Sequence, residues 1–84
     1  MNNRIYDPPE SRNLRILRCM SSLTQEEMAS MLGISRSTYS AIENGTQAMS
    51  YSVACAAAKI FSVHAEDLSD PDLIRVIGSM PKLR

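Results

Sequence analysis

Residues 23–45 read Leu-Thr-Gln-Glu-Glu-Met-Ala-Ser-Met-Leu-Gly-Ile-Ser-Arg-Ser-Thr-Tyr-Ser-Ala-Ile-Glu-Asn-Gly, and no other stretch limits the fold as tightly. Two start signals and two stop signals lie inside it. Thr24 is an N-cap, and Glu27 three residues later completes a capping box. Met28, Ala29 and Leu32 recur at helical spacing and form an inward stripe. Gly33 ends that helix, because glycine takes a positive φ cheaply. Ile34 packs in the turn, Ser35 caps a second helix with Tyr39 and Ile42 as its inward stripe, and Asn44–Gly45 ends it. The run predicts two short helices joined by a tight turn.

The rest of the chain supplies what such a pair packs against. Its 84 residues suffice for one small domain. Residues 1–10 predict a flexible N-terminal arm, since Pro8 and Pro9 discourage helix before them. Ser11 is a good N-cap for the first helix, and Pro9–Glu10 would open it equally well. Leu14, Leu17 and Cys19 or Met20 carry the stripe to about residue 20, where Ser21 and Ser22 break it. Ser50 caps an alanine-rich helix over about 51–61, and Phe61 and Val63 close the core beyond it. His64 or Ala65 starts a short fifth helix through about Leu68. Asp70–Pro71 punctuates the chain, Asp72 to Ile77 reads as one or two helical turns or as a strand, and 78–84 reads as a tail. The expectation is an all-α, compact five-helix bundle over 11–70, with a C-terminal extension over 71–84 that offers a dimerisation element.

Composition adds limits. Hydrophobic residues make up 44% of the chain and aromatic ones only 5%, so the core must be built from aliphatic side chains and methionine. A core of this size usually supplies only about 3–5 kcal/mol, which makes dimerisation an expected source of further stability. The two cysteines, Cys19 and Cys55, fall inside predicted helices and read as buried or half-buried small hydrophobes in a reducing cytoplasm rather than as a disulfide. No stretch approaches the length of a membrane span, and the N-terminus lacks an apolar signal region. Nine Lys and Arg balance nine Asp and Glu. A nucleic-acid binder is often visibly basic, but Arg4, Arg12, Arg15, Arg18 and Arg36 all precede residue 37 and Glu66, Asp67, Asp70 and Asp72 cluster late, which leaves room for one basic face on a neutral whole.

The pattern resembles the phage repressor and Cro-like helix-turn-helix domains, also called the xenobiotic-response-element family. The matching residues are Leu14-Arg15, Leu17-Arg18, Leu23 to Ala29, Leu32-Gly33-Ile34-Ser35, Ser37 to Ser40 and Ile42-Glu43-Asn44-Gly45, then Lys59-Ile60-Phe61, Val63 and Glu66-Asp67-Leu68. They span about residues 12–69. The resemblance implies a repressor-like bundle that binds double-stranded operator DNA, usually as a dimer. Departures from the family are Ser22 where glycine is common, Met49 where proline is frequent, a light alanine-rich fourth helix, and apolar Ile16, Cys19 and Met20 where relatives often carry exposed charges. The last group is expected to be covered by Leu73, Ile74, Val76 and Ile77, from the same chain or a partner.

Roles follow by position. Arg36, Ser37, Ser40 and Ala41 occupy the face that meets bases when the second helix of such a pair enters the major groove; arginine can pair with guanine through two hydrogen bonds, and alanine can touch a thymine methyl. Gln25, at a helix N-terminus that favours anions, is a phosphate candidate, with Arg15, Thr38, Asn44, Thr46 and Gln47 beside it and Arg12 a weaker one. The resemblance makes Arg18 and Glu43 a partly buried structural ion pair. Leu68, Leu73, Ile74 and Ile77 are the dimer-interface candidates. Tyr39 is expected to bury its ring and bring its hydroxyl to the surface.

No enzyme is expected. Glu26 and Glu27 are adjacent and share no helix face, and no nucleophile–base set or phosphate-cradling glycine loop occurs. His64 has no partner at metal spacing, so neither metal nor other cofactor is implied. The sequence therefore predicts a cytoplasmic, DNA-binding transcriptional regulator, a dimeric repressor on two half-sites. The alternative is an antitoxin or other protein-interaction module with a toxin or another regulator as partner, motivated by the zero net charge and the apolar 73–77 segment.

Overall fold

The computed structural model describes residues 8–78, the side chain of Val76 excepted. Residues 1–7 of the expected arm, residues 79–84 of the extension, and the covering role expected of Val76 lie outside the described residues.

Helices α1 (Pro9–Met20), α2 (Gln25–Leu32), α3 (Arg36–Asn44) and α4 (Tyr51–Phe61) are followed by a 3₁₀ turn over Ala65–Ser69 and a short α5 (Leu73–Gly78). There is no strand among the described residues. The caps are local chemistry. The Glu27 N–H donates to Thr24 Oγ1 at 3.0 Å while the Thr24 N–H donates to the Glu27 carboxylate at 2.8 Å. Ser35 Oγ accepts from the Thr38 N–H at 3.1 Å, and Ser50 Oγ from the Val53 N–H at 3.2 Å. Gly33 and Gly45 close α2 and α3 at φ 74° and 80°.

Helix α1 opens on Pro9, with Pro8 at the N-cap position; proline suits a first helical position because no N–H is needed there. Ser11 is consequently not the cap. It lies in the first turn, fully buried, and donates its hydroxyl to the Ile42 carbonyl at 2.6 Å. Ser22 and Ser62 take φ 59°, a left-handed backbone that costs a non-glycine residue about 1–2 kcal/mol.

The core gathers Leu14 and Leu17 of α1, Met28 and Leu32 of α2, Tyr39 and Ile42 of α3, Val53 and Ala57 of α4, and Leu68 of the 3₁₀ turn. Leu73 and Ile77 of α5 join the same cluster, each 5% exposed. Three of the four residues expected at a dimer interface, Leu68, Leu73 and Ile77, therefore face this chain's own interior, and Ile74 alone stays half-exposed.

Cys19 and Met20 are not covered as expected. Met20 is 57% exposed, and Cys19 is an exposed free thiol while Cys55 is half-buried. The reason is where the C-terminal segment is tied. Arg12 Nη2 donates to the Pro71 carbonyl at 3.0 Å, and Asn13 Nδ2 donates to the Leu68 and Asp70 carbonyls, both at 2.8 Å. These bonds anchor the segment to the first turns of α1, away from residues 19 and 20.

Candidate nucleic-acid interface

Helix α3 presents two different surfaces. Its outer edge begins with Arg36 and Ser37, both exposed, and continues through half-buried Ser40 and Ala41. The hydroxyls here are engaged locally: Ser35 Oγ donates to Thr38 Oγ1 at 2.9 Å and lies 3.3 Å from Ser37 Oγ.

Its inner side carries Tyr39, Ile42 and Glu43, none more than 2% exposed. A buried carboxylate requires partners, and Glu43 has four donors on three side chains. Arg18 Nε reaches Oε2 at 2.6 Å and Arg18 Nη2 reaches Oε1 at 3.3 Å. Gln25 Nε2 donates to Oε1 at 3.0 Å, and the Tyr39 hydroxyl donates to Oε2. Burial works against the charge on Glu43, and the bonds from Arg18, Tyr39 and Gln25 outweigh it, so its carboxyl is held below the ordinary value. Burial, reinforced by the bond to Glu43, pushes the Tyr39 phenol well above its ordinary value. The hydrogen bond to Glu43 raises the Arg18 guanidinium against its own desolvation. Arg18 also donates to the Leu23 carbonyl at 2.7 Å, which ties the end of α1 to the start of α2.

The Tyr39 hydroxyl thus does not reach the surface. The sequence pattern misses this because it registers an aromatic stripe residue and carries no information on a buried acceptor four residues along the same helix. Ser11 and Asn13 are missed in the same way: both are polar, both are fully buried, and both join α1 to distant carbonyls.

The flanking candidates fall into two sets. Gln25 and Arg15 are half-buried and converge on Glu43, Gln25 through the carboxylate and Arg15 Nη1 through the main-chain carbonyl at 3.0 Å. Asn44, Thr46 and Gln47 are exposed in the turn after α3. There the Ala41 carbonyl accepts from the Thr46 and Gln47 N–H groups at 3.0 and 3.2 Å and from Thr46 Oγ1 at 3.2 Å. Thr38 is half-buried in the Ser35 cap. Arg12, exposed, is engaged with Pro71.

No group of acidic, His and Cys side chains able to hold a metal occurs among the described residues, and none of their helices is long and apolar enough to cross a membrane. A surface groove lined by Leu23, Thr24, Glu26, Glu27, Ser30 and Met31 shares no residue with the outer edge of α3.

Residues 14–68 match the model of a helix-turn-helix family. Among curated proteins, one named as an uncharacterized HTH-type transcriptional regulator of Methanocaldococcus jannaschii is 44% identical over 55 residues, which cover 66% of this chain and 83% of that relative.

Proposed function

The chain belongs to the helix-turn-helix family of DNA-binding regulators, and from that premise we propose that it is a sequence-specific repressor that binds an operator of two half-sites as a dimer. The observation that carries the reading is the outer edge of α3: an exposed arginine followed by short polar side chains, on a helix whose opposite side is fixed by buried bonds. Arg36, Ser37, Ser40 and Ala41 meet base edges in the major groove. Arg15, Gln25, Thr38, Asn44, Thr46 and Gln47 contact the phosphate backbone and set the register. With one long side chain on the reading edge, part of the selectivity comes from the shape of the DNA. The two half-sites lie one helical turn apart, about 34–36 Å. Ile74 is the one interface candidate that keeps surface for a second copy. The reaction is binding, not catalysis, and it takes place in the cytoplasm without a cofactor.

The rival reading, a toxin-binding module, drew on an apolar C-terminal segment. Leu73 and Ile77 are spent inside the chain's own core, which removes most of that motive.

Selection of bound sequences from random duplex DNA tests the proposal, with Arg36→Ala in parallel. A motif should enrich, and Arg36→Ala should relax the same position in both half-sites by about 1–3 kcal/mol. If nothing enriches at moderate salt, the reading fails.

A further inference from the structure

The backbone-contact candidates of α1 and α2 share one neighbour. Gln25 Nε2 lies 3.0 Å from Glu43 Oε1, and Arg15 Nη1 lies 3.0 Å from the Glu43 carbonyl. Glu43 itself is 2% exposed and has no surface to offer DNA. It sits in the last turn of α3, about 10 Å along the axis from Arg36.

The orientation of the Gln25 amide is decided by chemistry. An ionised carboxylate only accepts hydrogen bonds, so the amide must turn its nitrogen, not its oxygen, toward Glu43. The contact uses one of the two hydrogens on that nitrogen. The second meets no acceptor among the described residues. Arg18 and Tyr39 hold the carboxylate through Oε2, and Arg18 Nη2 reaches Oε1 as well, so the oxygen that Gln25 bonds is braced from within the fold.

We propose that Glu43 is the positioning residue of the DNA-backbone contacts: it holds the Gln25 amide by one hydrogen so that the other is presented to a phosphate, and it fixes that contact relative to Arg36 on the same helix. This rests on the DNA-binding reading above and extends it to a residue that touches no DNA. The consequence is geometric. Phosphate contacts set register while base contacts read sequence, and here both refer to one rigid helix, so a bound phosphate beside α2 constrains where the outer edge of α3 enters the groove.

The test is a double-mutant cycle on a random-sequence duplex and on any duplex enriched by selection, with interference by phosphate ethylation as a second readout. In the wild-type background Gln25→Ala should weaken binding about tenfold, the loss of one hydrogen bond to a charged group. Glu43→Gln keeps the shape, but its single oxygen is claimed by Arg18 and Tyr39. In that background Gln25→Ala should cost less than about twofold. Ethylation of one phosphate per half-site should cease to interfere in both single variants while the other phosphates keep their effect; a general loosening of the fold would weaken all of them. An undiminished tenfold loss in the Glu43→Gln background overturns the proposal and leaves the DNA reading standing. Absence of wild-type binding to either duplex overturns both. Should Glu43→Gln not fold, the wild-type protein decides by NMR. Unequal solvent exchange of the two Gln25 amide protons, with the faster one shifting on addition of duplex, supports the assignment, and equal exchange refutes it.

Discussion

Arg36 and Glu43 stand at opposite ends of α3 and live in opposite environments. Arg36 is exposed and its neighbours bond only within the local cap; Glu43 is buried and bound by three side chains from three helices. One end makes no tie to another helix, and the other joins α3 to α1 and α2 at once. A helix that reads a sequence, the role proposed for α3, needs both kinds of end: a fixed one to define direction, and a replaceable one to meet a sequence.

The most severe way to break the contrast is Arg18→Ala. It strands the Glu43 carboxylate in the core and should cost about 3–5 kcal/mol, read as a lost or strongly shifted urea midpoint. The same joint should be acid-sensitive. Because the folded carboxyl of Glu43 titrates below its ordinary value, its contribution is present above that ordinary value and disappears as pH falls through the lowered one. Urea melts should show declining stability in acid, and Glu43→Gln should flatten that decline. Tyr39 has the opposite sign: its phenol is raised, so its contribution holds below the ordinary tyrosine value and is lost as pH climbs past it.

At the other end, Arg36→Ala should leave the urea midpoint within about 0.5 kcal/mol of wild type while reducing operator affinity by about 1–3 kcal/mol. A large stability loss there would dissolve the distinction between the two ends. Ser35→Ala is intermediate, since its hydroxyl caps α3 next to Arg36; a loss of about 1 kcal/mol in stability is expected. The smallest effect concerns salt. Arg36 and Arg15 are the cations on the proposed contact set, so the dependence of binding on salt should be shallow, and Arg15→Ala, which removes the proposed phosphate contact, should reduce the log–log slope by about 1.

The helices from α2 to α4 were legible because their signals are local. Thr24, Glu27, Ser35 and Ser50 cap the helices on which they lie, and Gly33 and Gly45 end them, all through bonds spanning five residues or fewer. The Cro-like pattern also pointed to Arg18 and Glu43 as partners. What stayed hidden depends on residues far apart in the chain. The position of the C-terminal segment is set by Arg12 and Asn13 reaching carbonyls 55–59 residues away, and no periodicity within α1 or α5 encodes that. Ser11, Asn13 and Glu43 are buried polar groups, which a hydrophobic pattern assigns to the surface by default. Ser22, at a position where glycine is common in the family, does take a left-handed backbone.

The tie between α1 and the 3₁₀ turn and α5 also dictates an order of events during synthesis. Leu14 and Leu17 share a cluster with Leu68, Leu73 and Ile77, so α1, the first of the described helices to be made, is fully enclosed only when the last of them arrives. At about 5–20 residues per second, several seconds separate its emergence from that of its final neighbours. Through that interval α2 and α3 can pack on α1 and on each other, while the part of α1 that Leu68, Leu73 and Ile77 later cover waits in contact with water or with the ribosome.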